Sequence, residues 1–114
     1  MAKLFGDADK GRALENAVLI ELLRHKKIEE SIYYLKLKSG KEVDFMVKGR
    51  NTELLQVSYD VSSFEVRKRE TSALVEAAKT FGLSNCKVIT YNYENEEIVD
   101  GLKIKFVPFW IWAL

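Results

Sequence analysis

The sequence predicts an α/β domain with the element order αβββαβ, in which helices flank a central mixed sheet. Three observations predict it: a helical period of apolar residues near the start, three short alternating segments after it, and a second helix followed by a strand. The 114 residues fit one compact domain, because a second core would have little material. We therefore expect a single domain over residues 1–114.

The first half of the chain supplies the first helix and three strands. Asp7 or Asp9 is a suitable cap for a helix whose apolar residues repeat at the helical period to about Lys27. Short turns that contain glycine separate the segments that follow, and sequential strands joined in this way favour an antiparallel meander. The predicted strands cover residues 31–38, 42–47 and 53–59.

The second half begins with a capping signal and continues with a strand and a hairpin. Ser62 and Glu65 match a capping box, and Gly82 is a typical residue to end the helix that this box begins. A crossover through that helix would lay the next strand parallel to the third one. The predicted elements are a helix over residues 64–81, a strand over 87–91, a hairpin of 97–99 with 102–107, and a short terminal element over 109–114.

Composition limits the classes of function. The net charge is +1, from 18 basic and 17 acidic side chains, so the overall field gives no reason to expect nucleic acid. Cys86 is the single cysteine, which excludes an intrachain disulfide and fits a reducing, cytoplasmic setting. The longest apolar run is far shorter than the roughly 20 residues that cross a membrane. An excess of Lys and Glu over Gln is typical of thermophilic sources.

Three polar residues form the candidate chemical site. The two-residue repeat of strands puts Val43, Phe45 and Val47 on one face and Asp44 on the other, and it puts Gln56 opposite its apolar neighbours. If these strands pair, Asp44 and Gln56 are cross-strand neighbours, and Glu15 can join them from the first helix.

Two carboxylates and an amide oxygen suit Mg²⁺ or Mn²⁺, the ions that assist phosphodiester hydrolysis. The alternative is structural: Asp44 ends a strand pair, Glu15 caps the backbone or pairs with Arg12 or Lys68, and Gln56 bonds a neighbour.

Six blocks of the sequence resemble the C-terminal domain of prokaryotic, archaeal-type P-loop ATPases, a domain of uncharacterised function. No phosphate-binding loop of the ATPase itself occurs, so the resemblance implies either an excised fragment or a free-standing relative, with a P-loop ATPase domain in the same or another chain as partner. It also implies the restriction-endonuclease-like fold of the PD-(D/E)xK superfamily, as in archaeal Holliday-junction resolvases. The blocks are residues 11–18, 40–45, 55–60, 67–70, 89–91 and 108–112.

In that superfamily, the resemblance gives Glu15 the place of the helix glutamate and Asp44 that of the metal-binding aspartate. Gln56 stands where the pattern has glutamate, and Ser58 where it has the catalytic lysine. Losing one such electrostatic partner costs roughly 10²- to 10³-fold in rate. Lys68 or Lys41 could supply the missing cation, although an ordinary solvated charge is the default for surface lysine.

Basic residues give a candidate DNA contact. Arg67, Lys68, Lys41, Lys48 and Arg50 could contact a phosphate backbone, but acidic neighbours offset them and favour a solvated face. Two hypotheses follow. The first is a nuclease-like, DNA-interacting domain with a divalent-metal site and weak or absent cleavage. The second is a non-catalytic accessory domain of a P-loop ATPase.

The aromatic end of the chain raises the question of assembly. Residues 109–112 are all apolar and lie near a terminus that has little chain left to bury them. They predict a homo-oligomer, and the alternative is that this tail closes the core of a monomer.

Overall fold

The apolar periods of the sequence fold into helices and strands in the predicted αβββαβ order, with a hairpin and a short helix after them. A computed structural model describes the backbone over residues 7–114 and the side chains from residue 9 onward. The elements are α1 (Asp7–His25), β1 (Ser31–Lys36), β2 (Glu42–Lys48), β3 (Glu53–Val57), α2 (Phe64–Phe81), β4 (Cys86–Thr90), β5 (Asn95–Val99), β6 (Leu102–Pro108) and α3 (Phe109–Trp112).

The strands form one mixed sheet in the order β1-β2-β3-β4-β6-β5. The first three strands are an antiparallel meander, as predicted, and β5 and β6 form the predicted hairpin around Asp100 and Gly101, which both have positive φ. After α2, strand β4 returns parallel to β3, and β6 lies parallel to β4 on its other side. The carboxyl ends of β3, β4 and β6 therefore lie at one edge of the sheet.

Helices cover both faces of the sheet, and each face has its own apolar cluster. On one face, α2 residues such as Leu74 pack with Leu54, Val88 and Phe106. On the other face, α1 and α3 pack over a smaller cluster that includes Leu55. None of the described helices is long and apolar enough to span a membrane. Strand β3 is buried on both sides, so its polar residue Gln56 also lies in the interior.

Strand β2 departs from the predicted alternation at one position. Tyr33 of β1 pairs with Met46 and Leu35 pairs with Val43, so two residues of β2 lie opposite Tyr34 alone. This β-bulge turns Val43 into the cluster beneath α2, although the sequence predicted it on the same face as Phe45. The prediction was wrong at Val43 because the bulge interrupts the two-residue repeat at Asp44.

Several element boundaries also differ from the predictions by one to three residues. Helix α1 ends at His25 rather than Lys27, and its start at Asp7 puts the cap position outside the described residues. Strand β3 ends at Val57 rather than Tyr59, although the Ser58 N–H still donates to the Ile89 carbonyl. The other shifts are β1 ending at residue 36, β2 ending at 48, β4 covering 86–90, β5 beginning at 95, β6 ending at 108 and α3 ending at 112.

The cap of α2 is one residue later than predicted. The Ser63 hydroxyl accepts a hydrogen bond from the Val66 N–H, and Ser63 has the extended backbone of a cap residue. Ser62 instead donates its own N–H to the carboxylate of Asp60. The capping-box prediction was therefore wrong about the serine, because the Ser62 N–H forms a turn with Asp60, while the helix itself covers the predicted residues 64–81. Gly82, with φ of 67°, ends the helix as predicted.

We expect Ser63→Ala to lower the free energy of unfolding by about 1 kcal/mol, since it removes the side-chain acceptor of the first helical turn. Ser62→Ala is the matched control and should change stability by less than about 0.5 kcal/mol, because the Ser62 N–H is retained. Urea denaturation measures both. Equal losses for the two variants would contradict the assignment of Ser63 as the cap.

Candidate functional site

A polar cavity lies at the β2 bulge, between the sheet and α2. Its volume is about 500 Å³. The turn after β1 forms one wall, Asp44 and Gln56 form the floor, and α2 forms the opposite wall with Arg69 and Glu70. The full lining is Ser39, Gly40, Lys41, Glu42, Asp44, Gln56, Arg69, Glu70 and Ala73. The cavity therefore brings together carboxylates, an amide and two cations.

The predicted contact between Asp44 and Gln56 is confirmed. It is a hydrogen bond between the backbone of Asp44 and the side chain of Gln56. The Asp44 N–H donates to Gln56 Oε1 at 2.9 Å. Gln56 Nε2 donates to the carbonyl of Glu42 at 3.0 Å and to the carbonyl of Glu70 at 3.3 Å. Gln56 is only 2% exposed. Its amide thus bridges β2, β3 and α2, and each of its two polar atoms already has a protein partner.

The Asp44 carboxylate links the same two strands from the other side. Its Oδ2 accepts a hydrogen bond at 2.8 Å from the N–H of Val57, which is the last residue of β3. This hydrogen bond extends the β2–β3 pairing past the last paired residues of the ladder. Asp44 therefore contributes to the structure of the sheet while it also lines the cavity.

Two carboxylic acids in this cavity have raised pKa values. Burial raises the pKa of Asp44 to about 6, the charges of Glu15 and Glu42 add to this rise, and the Val57 N–H opposes it. Burial also raises the pKa of Glu70 to about 7, and the charge of Asp44 is the next contribution. The two acids thus disfavour each other's ionisation, which makes the cavity a place where a cation or a proton is favoured.

Arg69 and Lys41 are the cations that line the cavity, and both have acidic partners. Arg69 Nε and Nη2 each lie 3.4 Å from Glu70 Oε1. Lys41 Nζ lies 3.7 Å from a Glu76 carboxylate oxygen. Arg69 lowers the pKa of both Asp44 and Glu70, although burial outweighs that effect. Arg69 is therefore the cation that lies beside these acids, a position in which Lys68 was a predicted candidate.

The remaining predicted site residues lie at different distances from the cavity. Glu15 is exposed on α1, and its charge still reaches Asp44 and Glu70. The Ser58 hydroxyl contacts the Asp60 carbonyl at 3.5 Å, and Ser58 lines a neighbouring cavity that shares Arg69 and Glu70 with the first. Lys68 is exposed and is not part of the cavity wall.

The predicted DNA-contact residues do not form one patch. The Arg67 guanidinium donates to the carbonyls of Val61 and Ser62, so it holds the loop before α2. Lys48 and Arg50 lie at the end of β2 and in the turn after it, at the opposite end of that strand from Asp44. Lys41 alone of the predicted DNA contacts lines the cavity.

Glu70 is the cavity residue that sequence reasoning missed as a site residue. A glutamate within the charged run of a helix looks like an ordinary surface residue, and strand parity gives no information about it. A signal was present three residues later: Ala73 and Leu74 begin the buried stripe of α2, which places Glu70 one turn before it on the sheet side.

Asp44 and Glu70 are the two cavity carboxylates that could hold a metal ion. The described residues contain no group of three or more His, Cys, Asp or Glu arranged to hold one. Mg²⁺ is often bound by one or two carboxylates and otherwise by water and phosphate oxygens, so Asp44 and Glu70 would be its ligands here. Gln56 Oε1 already accepts the Asp44 N–H, which makes it a poorer ligand than the sequence suggested.

The chain matches one domain family and is similar to parts of longer proteins. The family model described as "Domain of unknown function (DUF4143)" matches residues 10–112. The uncharacterized protein MJ1544 of Methanocaldococcus jannaschii is 43% identical over 113 residues, covering 93% of this chain and 25% of that protein. A chain in a structure described as a half-complex of Thermococcus gammatolerans McrB AAA+ hexamers with bound McrC has a TM-score of 0.61 at 14% identity, covering 88% of this chain and 28% of that chain. The chain thus spans about a quarter of these relatives, and the structural likeness concerns the fold.

Proposed function

This chain belongs to the DUF4143 family of domains of unknown function, and we propose that it serves as a non-catalytic accessory domain of a P-loop ATPase. The observation that carries the proposal is the hydrogen bonding of Gln56. Its amide joins β2, β3 and α2 at the place where the nuclease pattern requires a free metal-binding carboxylate. The residue in that position stabilises the fold and lacks the charge that a metal ion would need.

Two further observations support an accessory role. Ser58 stands in place of the catalytic lysine, and its hydroxyl lies outside the cavity of Asp44. A domain of similar fold also occurs in a structure described as an assembly of McrB AAA+ hexamers with bound McrC. The proposed partner is accordingly an AAA+ or related P-loop ATPase domain, in the same polypeptide or in another.

A second candidate, a metal-dependent nuclease-like domain, is favoured by the acid pair Asp44 and Glu70. Two neighbouring carboxylic acids with raised pKa values would gain from a divalent cation, and Arg69 lies beside them. Such a site would bind Mg²⁺ or Mn²⁺ through Asp44 and Glu70, with Arg69 available to contact a phosphate of DNA.

The experiment that separates these candidates is a cleavage assay combined with calorimetry. We expect no cleavage of labelled duplex, junction or single-stranded DNA in Mg²⁺ or Mn²⁺ by the wild-type protein. Binding to a separately prepared P-loop ATPase domain, measured by calorimetry, is the positive result for the accessory role. The double variant Gln56→Glu, Ser58→Lys restores the carboxylate and the cation of the nuclease pattern, so it tests whether the scaffold supports that chemistry.

Cleavage by the wild type that is lost in Asp44→Asn would overturn the accessory proposal. Asp44→Asn is the suitable control because an amide oxygen in the same position still accepts the Val57 N–H, so the fold is preserved. Lys68→Ala would then show whether that lysine takes part. Nicking by the double variant alone would mean that the fold supports the chemistry, while the natural residues at positions 56 and 58 prevent it.

A further inference from the structure

An aromatic groove lies on the face of the sheet opposite the polar cavity, where the three parallel strands end. Tyr59 follows β3, Tyr91 follows β4 and Phe109 follows β6 directly, so the common direction of these strands gathers the three rings. The groove has a volume of about 330 Å³. Its lining is Lys10, Ala13, Leu14, Ala17, Tyr59, Tyr91, Phe109 and Trp110.

One wall of the groove is a helical stripe of α1. Lys10, Ala13, Leu14 and Ala17 recur at the three- and four-residue spacing of one helix face. Because Ala13 and Ala17 are small, the helix leaves room in front of them. The outer side of the same helix continues the apolar surface to Ile20, which is 55% exposed.

The other wall carries an aromatic residue that projects from the surface. Trp110 on α3 is 64% exposed, although it borders the groove, and Tyr91 is 52% exposed. Tyr91 stacks on Tyr59 with ring centroids 4.7 Å apart, which fixes the floor on which another ring could rest. The surface therefore presents a hollow and a large apolar projection side by side.

Lys10 is the one charged side chain among the described residues that line the groove, and it does not oppose an apolar occupant. Lys10 Nζ lies 5.6 Å from the centroid of the Tyr59 ring, within the range of a cation–π contact. A lysine side chain can also bury its apolar stem while its ammonium stays in water, so an apolar occupant does not require this charge to be buried. The net charge of the chain is only +1, so two copies would approach without strong repulsion.

We propose that this aromatic groove is the interface of a symmetric homodimer, in which Trp110 of each copy enters the groove of the other and packs against Ala13 and Ala17. A two-fold contact requires one surface to complement itself. The neighbouring hollow and projection meet that requirement, because rotation about an axis between them places each Trp110 over the other copy's groove. The interface lies apart from the polar cavity, so this proposal does not depend on the proposed function.

The apolar area exposed on this surface is small, so the proposed dimer should be weak. A fully exposed aromatic side chain offers about 150–250 Å², so Trp110 and Tyr91 at their observed exposures offer roughly 230 Å² per copy. Ala13, Ala17 and Ile20 add to this, and interfaces at the low end of the specific range bury less than about 600 Å² per partner. We therefore expect association that depends on protein concentration.

Sedimentation velocity from about 1 µM to about 1 mM protein tests the proposal. The wild type should shift from monomer toward dimer as its concentration rises. Trp110→Ala, which removes the projection, and Ala17→Glu, which blocks the groove, should each weaken association by about tenfold or more. Phe64→Ala is the matched control, since Phe64 is an equally exposed aromatic residue at the start of α2, and it should leave the dimer unchanged.

A mixing experiment distinguishes this interface from general stickiness. A copy with Trp110→Ala keeps the α1 wall and the tyrosine floor of its groove, and a copy with Ala17→Glu keeps its tryptophan, so their mixture regains one of the two contacts. We expect more dimer in the mixture than in either variant alone. Circular dichroism and urea denaturation establish that both variants are folded.

Three results would overturn the proposal. The first is a wild type that stays monomeric at about 1 mM, which would leave the groove to another protein or to a small apolar ligand. The second is a dimer that persists in both variants, which would place the interface on another surface. The third is a mixture of the two variants that associates no better than either variant alone.

Discussion

Replacing Gln56 by alanine should lower the free energy of unfolding by about 2–4 kcal/mol, because three buried backbone groups lose their hydrogen-bond partner. The change leaves the Asp44 N–H and the carbonyls of Glu42 and Glu70 without their present partner, and each unsatisfied buried group costs about 1–3 kcal/mol. Water that enters from the adjoining cavity should form hydrogen bonds with some of these groups. The loss of stability should therefore be smaller than the sum of the three penalties. Denaturation by urea measures it.

Thr71→Val is the matched control for this substitution. Thr71 is also buried and polar, but its hydroxyl donates only to the Lys68 carbonyl one helical turn earlier. Valine has nearly the same shape, so we expect a loss below about 1 kcal/mol. Similar losses for Gln56→Ala and Thr71→Val would show that the amide bridge between the strands and α2 contributes little, contrary to the argument above.

The stability of the domain should fall by about 2–3 kcal/mol between pH 5 and pH 8. Burial, followed by the neighbouring charges, raises the pKa of Asp44 to about 6 and that of Glu70 to about 7. Both values exceed the pKa of about 4 of the unfolded chain, so the folded state binds more protons between pH 4 and pH 7. Stability is therefore highest at the acidic end of this window and is lost as the pH rises through 6 and 7.

The double variant Asp44→Asn, Glu70→Gln should remove this dependence, because neither amide titrates. It should also exceed the wild type in stability at pH 8, where the wild type holds two neighbouring buried charges. For each group we expect less than about 1.4 kcal/mol of stability change per unit of pKa shift, because solvent in the open cavity screens the charges. A wild type equally stable at pH 5 and pH 8 would contradict the raised pKa values of these two acids.

Much of the fold follows from local patterns in the sequence. The meander, the crossover through α2 and the turn at Asp100 and Gly101 are each specified by alternation, capping and turn residues that lie close together in the chain. The position of Asp44 beside Gln56 follows from strand parity in the same way. The α2 cap at Ser63 was missed because two adjacent serines are equally suitable, and only the turn at Asp60 decides between them.

The candidate site was harder to predict, since its character depends on contacts between distant segments. Alternation shows which face Gln56 occupies, but it cannot show that a central strand is buried on both faces. The β2 bulge has no sequence signal of its own, and it changed the face of Val43. The buried stripe of α2 places Glu70 on the sheet side, but Glu70 enters the site because α2 packs beside Asp44, and that tertiary contact has no signal in the sequence.

The order of the strands also sets the order in which the molecule gains its structure. Strands β1, β2 and β3 pair through short turns, so closing them costs little chain entropy. Pairing β3 with β4 requires all of α2 to lie between them, which is a slower and less local event. We therefore expect the meander to form first in refolding, with α2 and β4 docking later. The Gln56 bridge to α2 would then mark the step at which the two halves of the domain join.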